Sequence, residues 1–474
     1  MTRAALADAL RDVVGADAVV EDPELLVGYA TDWMGRRFGA ARVVVRPAST
    51  EEVAGAIAVC GRHSAAVVPQ GGNTGLVAGG VPRDGEVVLS TGRLAWVGEA
   101  DPVSGAVAAG AGAPLAAVRE AARAAGLDLG IDLGARDTAT VGGMAATNAG
   151  GLRVIRYGHM RAQLAGLEAV TPDGRVIRRM AGLAKDTAGY DLTGLLCGSE
   201  GTLGVITAVL LRMVPAAHQR VTAVIGLEST GAALGVLGDL RRRVPELDAA
   251  EIVFADGVAR VTELFGTTSV VDPAWPCQLL VEASAPTDAD SGLVDRVAGS
   301  LGGASDPSAT AVALDDPARQ NLWSMRERHP ELVVRLGYPH KLDVSLPLRR
   351  LPEFETEVRA RLASTAPDAT LILYGHIGDG GLHVNVAAPP DAADASGSPP
   401  GSPAAHREWM RRVDEVVLGL VGDLGGSISA EHGIGTEKVA FLGLTRGPAE
   451  IDAMRRLKAA LDPDGILNPG VLLG

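Results

Sequence analysis

The segment PQGGNTGLVAGG, residues 69–80, decides the fold of this chain. Its glycines follow directly on an apolar, strand-like run. Because glycine has no Cβ atom, backbone amides in such a loop can approach a pyrophosphate closely. Two similar segments follow, GGMAATNAGG (142–151) and GSEGTLGVIT (198–207). A single glycine loop is more often a simple turn, but three in one N-terminal region favour binding of a phosphate-bearing ligand.

A dinucleotide-binding fingerprint of the Rossmann type does not account for these loops. The best match, GAGAPL (110–115), has Leu115 where the third glycine should stand. No acidic residue follows at the distance expected for a ribose contact. We therefore expect the ligand on a different scaffold.

Composition limits the classes of function. The chain has 474 residues, enough for two or three domains, and 57 acidic against 43 basic side chains, a formal net charge of −14. This acidic balance disfavours nucleic acid as a partner. Three scattered cysteines without a CxxC pair indicate a reducing, cytoplasmic location. We expect neither a signal peptide nor a transmembrane helix.

The order of strand-like and helix-like segments predicts an α+β protein. Strands alternate with amphipathic helices throughout, and the texture changes after Pro215. The expected parts are a helical lead-in, an N-terminal domain, a second domain and a C-terminal segment: 1–37, 38–217, 218–455 and 456–474. Within the second domain, the Pro/Ser/Ala-rich stretch 389–406 predicts a loop.

A second decisive segment is YGHIGDGGLHVNV, residues 374–386. Apolar and polar residues alternate on both sides of Asp379-Gly380, a dipeptide favoured in two-residue hairpin turns. A turn centred there would place His376 opposite His383, with Tyr374 and Asn385 on the same face. From this segment alone, two solvated histidines and a metal site both remain open.

Seven motifs in order carry a family resemblance: VVPQGGNTG, TNAGGLRVIRYG, KDTAGYDL, GSEGTLG, GHIGDGGLHVNV, SAEHGIGTEK and LDPDGILNPG. Together they resemble the FAD-linked 2-hydroxy-acid dehydrogenases, from about residue 40 to the C-terminus. This group covers D-lactate and D-2-hydroxyglutarate dehydrogenases and glycolate oxidase subunits of the vanillyl-alcohol-oxidase type. The resemblance implies a two-subdomain FAD-binding domain, a ferredoxin-like α+β substrate cap, and a C-terminal segment that packs on the FAD domain.

The resemblance also implies which residues bind FAD. Some relatives attach FAD to a histidine in the first glycine loop; Asn73 stands in this loop, so we expect non-covalent FAD. The residues expected around the cofactor are Gln70, Gly71, Gly72, Asn73, Thr74, Gly75, Leu133, Gly142, Asn148, Gly150, Gly151, Glu200, Gly201, Gly204, Ile206 and Asn468.

For the reacting centre, the resemblance implies a metal held by His376, His383 and Glu431, with His432 as the catalytic base. We expect Zn²⁺, with Mn²⁺ or Fe²⁺ as alternatives. The chemistry agrees: a divalent cation lowers the pKa of a chelated hydroxyl group, and a histidine can accept its proton.

The substrate carboxylate is expected on Arg326 and Lys341, with Asn385 as a further contact. Arginine binds carboxylates through two parallel hydrogen bonds. Pro330 stands where hydroxyglutarate-specific relatives tend to have a hydroxyl residue, which weakens the case for hydroxyglutarate specifically.

The leading hypothesis is an FAD- and metal-dependent dehydrogenase acting on a D-2-hydroxy acid, D-2-hydroxyglutarate or D-lactate. A zinc hydrolase using His376, His383 and Glu431, and a flavin-binding electron carrier without turnover, are the alternatives. A hydrolase would be colourless, and a carrier would be yellow but indifferent to hydroxy acids. The electron acceptor (electron-transferring flavoprotein, quinone, cytochrome or oxygen) and the oligomeric state stay open, with a homodimer among the options.

Overall fold

The chain folds into two units, each assembled from separate stretches of sequence. The computed structural model describes residues 3–286, 292–301, 309–336, 339–388 and 403–474. The first unit comprises Met1–Gly151, Tyr157–Ala216 and Glu431–Gly474, and the second comprises Leu152–Arg156 and Ala217–Ala430.

This division differs from the sequence-based boundaries mainly at the C-terminal side. The chain returns to the first unit at Glu431, whereas the return was expected at residue 456. The physical reason is a buried contact: the backbone amides of Ile434 and Gly435 donate to the carboxylate of Glu200, at 2.8 and 2.7 Å. Residues 431–455 are therefore grouped with the glycine loops.

The first sheet of the first unit is mixed. Its strands are β1 (Val19–Val20), β2 (Ala41–Val45), β3 (Val67–Gln70) and β4 (Glu86–Ser90), in the order β1-β2-β4-β3. Only the β1–β2 pair is antiparallel. Helices α1 (Arg3–Val14), α2 (Pro23–Ala30) and α3 (Thr50–Arg62) belong to this part. The side chain of Ser49 accepts from the Glu52 amide at the start of α3, which satisfies one free helix donor.

The second sheet of the first unit is antiparallel. Its strands are β5 (Ala106–Gly110), β6 (Leu127–Leu129), β7 (Leu164–Val170), β8 (Val176–Arg179) and β9 (Val205–Pro215). The order is β5-β9-β7-β8, and β6 pairs with β9. The helices here are α4 (Leu115–Ala124), α5 (Val141–Thr147), α7 (Met160–Gln163), α8 (Leu192–Leu196) and α15 (Pro448–Leu461). Alternating strand residues such as Val107, Leu167 and Val209 are fully buried in its core.

The second unit is built on one seven-stranded antiparallel sheet in the order β13-β10-β12-β11-β15-β16-β14. Its strands are β10 (Gln219–Leu227), β11 (Leu247–Phe254), β12 (Cys277–Ala285), β13 (Thr310–Ala313), β14 (Pro339–Ser345), β15 (Thr370–His376) and β16 (Gly381–Ala387). Its helices are α9 (Thr230–Arg243), α10 (Ala255–Phe265), α11 (Leu293–Leu301), α12 (Asp316–Arg335), α13 (Leu351–Thr365) and α14 (Pro403–Asp423). The short α6 (Val154–Tyr157) runs across the unit boundary.

The α+β class is therefore confirmed, with sheets and helices in both units. Of the loop expected at 389–406, residues 389–402 lie outside the described residues. Its last residues were assigned wrongly, since α14 already begins at Pro403. Across the described ranges, none of the helices combines the length and the apolar character needed to cross a bilayer.

Candidate active site

A cavity of about 370 Å³ in the first unit collects the three glycine loops. This volume lies within the usual range of small-molecule sites. Most of the residues expected to bind the cofactor line it: Gln70, Gly71, Gly72, Asn73, Thr74, Gly75, Leu133, Gly142, Gly150, Glu200, Gly201, Gly204, Ile206 and Asn468. Three segments that are far apart in sequence therefore meet around one space.

Two of the expected cofactor residues do not line this cavity. Asn148 has a left-handed backbone (φ 52°) at the end of α5, and its side chain accepts from the Arg161 amide at 2.9 Å. Gly151 lies against Asp132, where an added Cβ atom would come within 2.0 Å of the carbonyl oxygen. Both residues shape the loop. The sequence motif alone could not show whether a residue in it shapes the loop or contacts the ligand.

The cavity fits a pyrophosphate held by backbone amides. Among its described lining residues there is no lysine or arginine, and backbone N–H groups of the glycine loops are available to bind an anion. At Gly75 an added Cβ atom would meet nothing within 4 Å. Asn73 has a left-handed backbone (φ 52°), a conformation that helps successive amides converge on an anion.

The side chains of the first loop anchor it to the N-terminal segment. Gln70 donates to the carbonyl oxygens of Tyr29 (2.9 Å) and Gly80 (2.8 Å). Asn73 donates to the carbonyl oxygen of Thr31 at 2.8 Å. These side chains therefore set the loop shape and leave the cavity face to the main chain.

Glu200 ties the third glycine loop to the C-terminal segment. Burial raises the pKa of its carboxyl group, against the opposing effect of the amides of Ile434 and Gly435. Asn468 adds hydrogen bonds to the carbonyl oxygens of Gly79 (3.0 Å) and Glu200 (2.6 Å). The C-terminal segment thus closes one side of the cavity.

Glu431 and His432, the expected third metal ligand and base, both line the same cavity and are half-buried. Gly150 leaves room for Glu431, because a Cβ atom there would lie 2.9 Å from Oε1 of Glu431. A carboxylate and an imidazole are thus present beside the glycine loops.

In the second unit, the hairpin register differs from the expected one. His376 pairs with Gly381, and His383 pairs with Tyr374, so the connection is a four-residue loop, not a two-residue turn. Only Gly380 of the central dipeptide has a positive φ, at 90°. The cause is tertiary: Gly378 donates to Ala250 on β11 at 3.1 Å, and Gly380 accepts from Leu346 at 3.0 Å.

The two histidines nevertheless share one face. Their Nε2 atoms lie 3.3 Å apart and their ring centroids 5.1 Å apart. Two nitrogens bound to one tetrahedral Zn²⁺ at about 2.0–2.1 Å would be about 3.3–3.4 Å apart. The pair therefore fits two ligands of a single metal ion.

A carboxylate lies behind each histidine. Glu251 Oε1 is 2.6 Å from Nδ1 of His376, and Asp343 Oδ1 is 3.7 Å from Nδ1 of His383. Both carboxylates have side chains only 1% exposed. A carboxylate at hydrogen-bonding distance, as Glu251 is from His376, orients a metal-binding histidine, because it holds the proton on Nδ1 and leaves the Nε2 lone pair for the metal. Asp343, in contrast, is too far from His383 for a direct hydrogen bond.

Arg326 lies in the same part of the second unit. It is buried, its Nε donates to Glu251 Oε2 at 2.7 Å, and its guanidinium lies 4.6 Å from the Tyr374 ring centre. The Tyr374 ring is in turn 5.0 Å from that of His383. Burial raises the pKa of Tyr374 to about 12, so this hydroxyl stays protonated.

Lys341 and Asn385 are paired directly across β14 and β16, and Asp343 is paired with His383 two positions further along. Residues two apart share a face, so all four lie on one side of the sheet. The expected substrate and metal residues of the second unit are therefore brought together.

Sequence reasoning missed several contributors. Thr140 and Gly143 line the cavity, and a capping threonine ahead of a Gly-Gly pair was a usable signal. Glu251 and Asp343 lie far from the hairpin in sequence, 125 residues in the case of Glu251. No local pattern pointed to them.

Two family models together match most of the chain. Residues 41–179 match the family model of the FAD binding domain, and residues 216–472 match that of the C-terminal domain of FAD linked oxidases.

Two relatives are similar over most of their length. The mitochondrial D-2-hydroxyglutarate dehydrogenase of Bos taurus is 38% identical over 470 residues, which are 96% of this chain and 81% of the relative. The D-2-hydroxyglutarate dehydrogenase of Xanthomonas citri pv. viticola is 34% identical over 466 residues, 98% and 96% of the two chains.

Among solved structures, a 4-ethylphenol oxidase from Gulosibacter chungangensis matches with a TM-score of 0.74. It covers 98% of this chain and 96% of its own, at 19% identity. At this identity the likeness concerns the fold alone, and it confirms the expected vanillyl-alcohol-oxidase type.

Proposed function

Since the chain belongs to the family of FAD-linked oxidases, we propose that it oxidises a D-2-hydroxy acid to the 2-oxo acid with the help of a divalent metal. That it is an FAD-dependent oxidoreductase acting on a 2-hydroxy acid follows from its relatives. The D configuration, the metal and the base are the proposed part. The names of the two relatives favour D-2-hydroxyglutarate as the substrate, with D-lactate as the alternative.

The observation that carries the proposal is the histidine pair, with two Nε2 atoms 3.3 Å apart and a buried carboxylate behind each ring. We propose that His376 and His383 bind the metal together with Glu431. Zn²⁺ suits two imidazoles and a carboxylate, and Mn²⁺ or Fe²⁺ remain alternatives. When bound, the cation supplies Lewis acidity that lowers the pKa of a chelated 2-hydroxyl group.

The remaining side chains bind the substrate and move its proton. Arg326 and Lys341 are the proposed partners of the substrate carboxylate, and Asn385 is a hydrogen-bonding contact between them and the histidines. His432 is the proposed base: a ring nitrogen accepts the hydroxyl proton while the C2 hydrogen leaves with its electron pair and the C2–O bond becomes a carbonyl. FAD, when bound, supplies the acceptor for that hydride.

Neither alternative is retained. A zinc hydrolase requires the glycine loops to be merely structural, yet all three surround one cavity, and the first two lie within the stretch that matches the FAD binding domain. A carrier without turnover leaves the residues grouped around the histidine pair without a role. The electron acceptor, a homodimer and a cytoplasmic location stay predictions from the sequence.

The test compares His383→Ala and Glu431→Ala with His432→Ala, each assayed for metal content, FAD content and anaerobic flavin reduction. Loss of a ligand should abolish metal binding and flavin reduction but leave FAD in place, because backbone amides of the glycine loops, and not these side chains, are the expected contacts of its pyrophosphate. Loss of the base should keep both metal and FAD and slow reduction by about 10²–10⁴-fold.

His340→Ala is the matched control. His340 lies on the same strand as Asp343, on the opposite sheet face, and contacts Asp414 at 2.6 Å. It should keep metal and activity. Full metal content with normal flavin reduction in His383→Ala and Glu431→Ala would refute the metal site.

A further inference from the structure

Glu251 on β11 connects two groups to which the proposed function gives different tasks. Its Oε1 atom lies 2.6 Å from Nδ1 of His376, and its Oε2 atom accepts from Nε of Arg326 at 2.7 Å. The Glu251 side chain is 1% exposed. Water therefore competes with neither contact, and a single carboxylate fixes the positions of a histidine and an arginine.

Three elements fix this arrangement. β11 pairs with β15 at Ile252 and Gly375, which places Glu251 across from His376. Arg326 reaches the same carboxylate from α12, and its guanidinium packs over the Tyr374 ring. Neither partner can shift without breaking a buried, charge-assisted hydrogen bond.

The contacts with Glu251 determine which atoms of His376 and Arg326 remain for other partners. A carboxylate oxygen accepts from a protonated Nδ1, so the contact with Glu251 favours the form of His376 that has its proton on Nδ1 and its Nε2 lone pair on the side of His383. Arg326 uses Nε for Glu251. Within the described residues the structure records no hydrogen bond from its Nη1 or Nη2 atoms, so these two groups remain for a substrate carboxylate.

We infer that Glu251 is a positioning residue that holds the metal-binding histidine and the carboxylate-binding arginine in one fixed arrangement. The inference rests on the proposed function for the tasks of His376 and Arg326. A simpler role, neutralising the buried charge of Arg326, predicts a loss of stability alone.

Glu251→Gln keeps the side-chain volume but cannot accept hydrogen bonds from both partners, because its amide group has one acceptor oxygen and one donor nitrogen. Metal affinity, measured without substrate by competition with a chelator, should fall about 10–100-fold, the usual effect of losing a carboxylate behind a metal-binding histidine. KM for the 2-hydroxy acid should rise as well, because Arg326 loses the contact that fixes its position. Glu251→Asp, one methylene shorter, should lose part of both effects and serves if the first variant folds poorly.

Glu282→Gln is the matched control. Glu282 on β12 is also buried, accepts from Thr222 (2.9 Å) and Trp323 (2.8 Å), and pairs with arginine. It should lower thermal stability without changing metal affinity. The inference is overturned if Glu251→Gln behaves the same way, with metal affinity and KM within twofold of wild type.

Nitrogen-15 NMR of the histidine rings in metal-free protein separates this inference from the proposed function. His376 should be protonated at Nδ1 in the wild type and should lose that preference in Glu251→Met. If His376 behaves in this way but the protein binds no metal when metal is added, the metal-dependent function fails and the positioning role stands. An Nε2-protonated His376 in the wild type would overturn the positioning role.

Discussion

Arg326 is the residue in which binding and stability are most closely linked. Arg326→Ala should reduce kcat/KM by the equivalent of about 2–5 kcal/mol, the range for truncating a desolvated charge partner. It also leaves Glu251 buried without its counter-charge, so we expect a loss of about 3–5 kcal/mol in the free energy of unfolding. Steady-state kinetics and urea denaturation measure the two effects separately.

Arg326→Lys is the companion variant for this prediction. It keeps the positive charge but loses the Nε contact and the planar fork, so it should restore stability better than kcat/KM. Unchanged kcat/KM in Arg326→Ala for every 2-hydroxy acid that turns over would show that this arginine only neutralises Glu251.

His329 should make stability depend on pH. It is completely buried in α12, and burial lowers its pKa from 6.5 to about 4, with the nearby Arg326 charge adding to the effect and the Met325 carbonyl opposing it. The unfolded chain therefore takes up the proton first. The stabilisation is complete above about pH 6.5 and is lost as the pH falls towards 4.

The corresponding experiment compares wild type with His329→Leu by denaturant unfolding at pH 7 and pH 4.5. The wild type should lose about 2 kcal/mol more than the variant over this interval, since one pKa unit corresponds to about 1.4 kcal/mol. Equal losses of unfolding free energy in the two proteins would mean that the pKa of His329 is not lowered in the folded state.

At the scale of elements, the β15–β16 hairpin shows what the sequence could and could not predict. Alternation predicted correctly that His376 and His383 share a face, because a register shift of two residues preserves the face. The register itself was wrong, since Gly378 bonds to Ala250 on a neighbouring strand. Contacts from other strands, like that of Glu251, leave no trace in the local pattern.

The glycine loops also show what the sequence alone could not predict. Their glycines predicted most of the cavity lining, yet the sequence could not separate Gly75, beside open space, from Gly151, packed against the Asp132 carbonyl. That distinction depends on which segment lies opposite, and only the folded chain shows it.

Gly380→Ala tests the observed loop. Gly380 has φ +90°, and an added Cβ atom would lie 2.3 Å from the Leu346 carbonyl oxygen. We expect a loss of at least about 1–2 kcal/mol in unfolding free energy from backbone strain, together with weaker metal binding because the loop joins His376 to Gly381. Chemical denaturation and metal titration report these changes.

Gly419→Ala in α14 provides the comparison, because a Cβ atom there meets nothing within 4 Å and helix interiors favour alanine. It should be neutral or stabilising by up to about 1 kcal/mol. Equal stability of the two variants would contradict the four-residue loop.

At the scale of the whole molecule, FAD should be held without a covalent bond. Asn73 occupies the first glycine loop and donates to the Thr31 carbonyl, and an amide side chain offers no nucleophile for attachment. Acid precipitation should leave the yellow colour in the supernatant, and a washed pellet that remains yellow would contradict this prediction. Removing FAD should also lower the thermal midpoint, because a ligand bound only by the folded state stabilises it.

The central claim is that a D-2-hydroxy acid reduces the flavin directly and needs the metal held by the histidine pair to do so. Anaerobic titration of the yellow protein with paired D and L acids tests it most directly, before metal removal, after chelation, and after metal is returned. We expect bleaching of the flavin by D-2-hydroxyglutarate or D-lactate, none by the L enantiomers, loss of bleaching with FAD retained after chelation, and recovery when metal is restored. Bleaching at an unchanged rate in the metal-free protein would contradict the account.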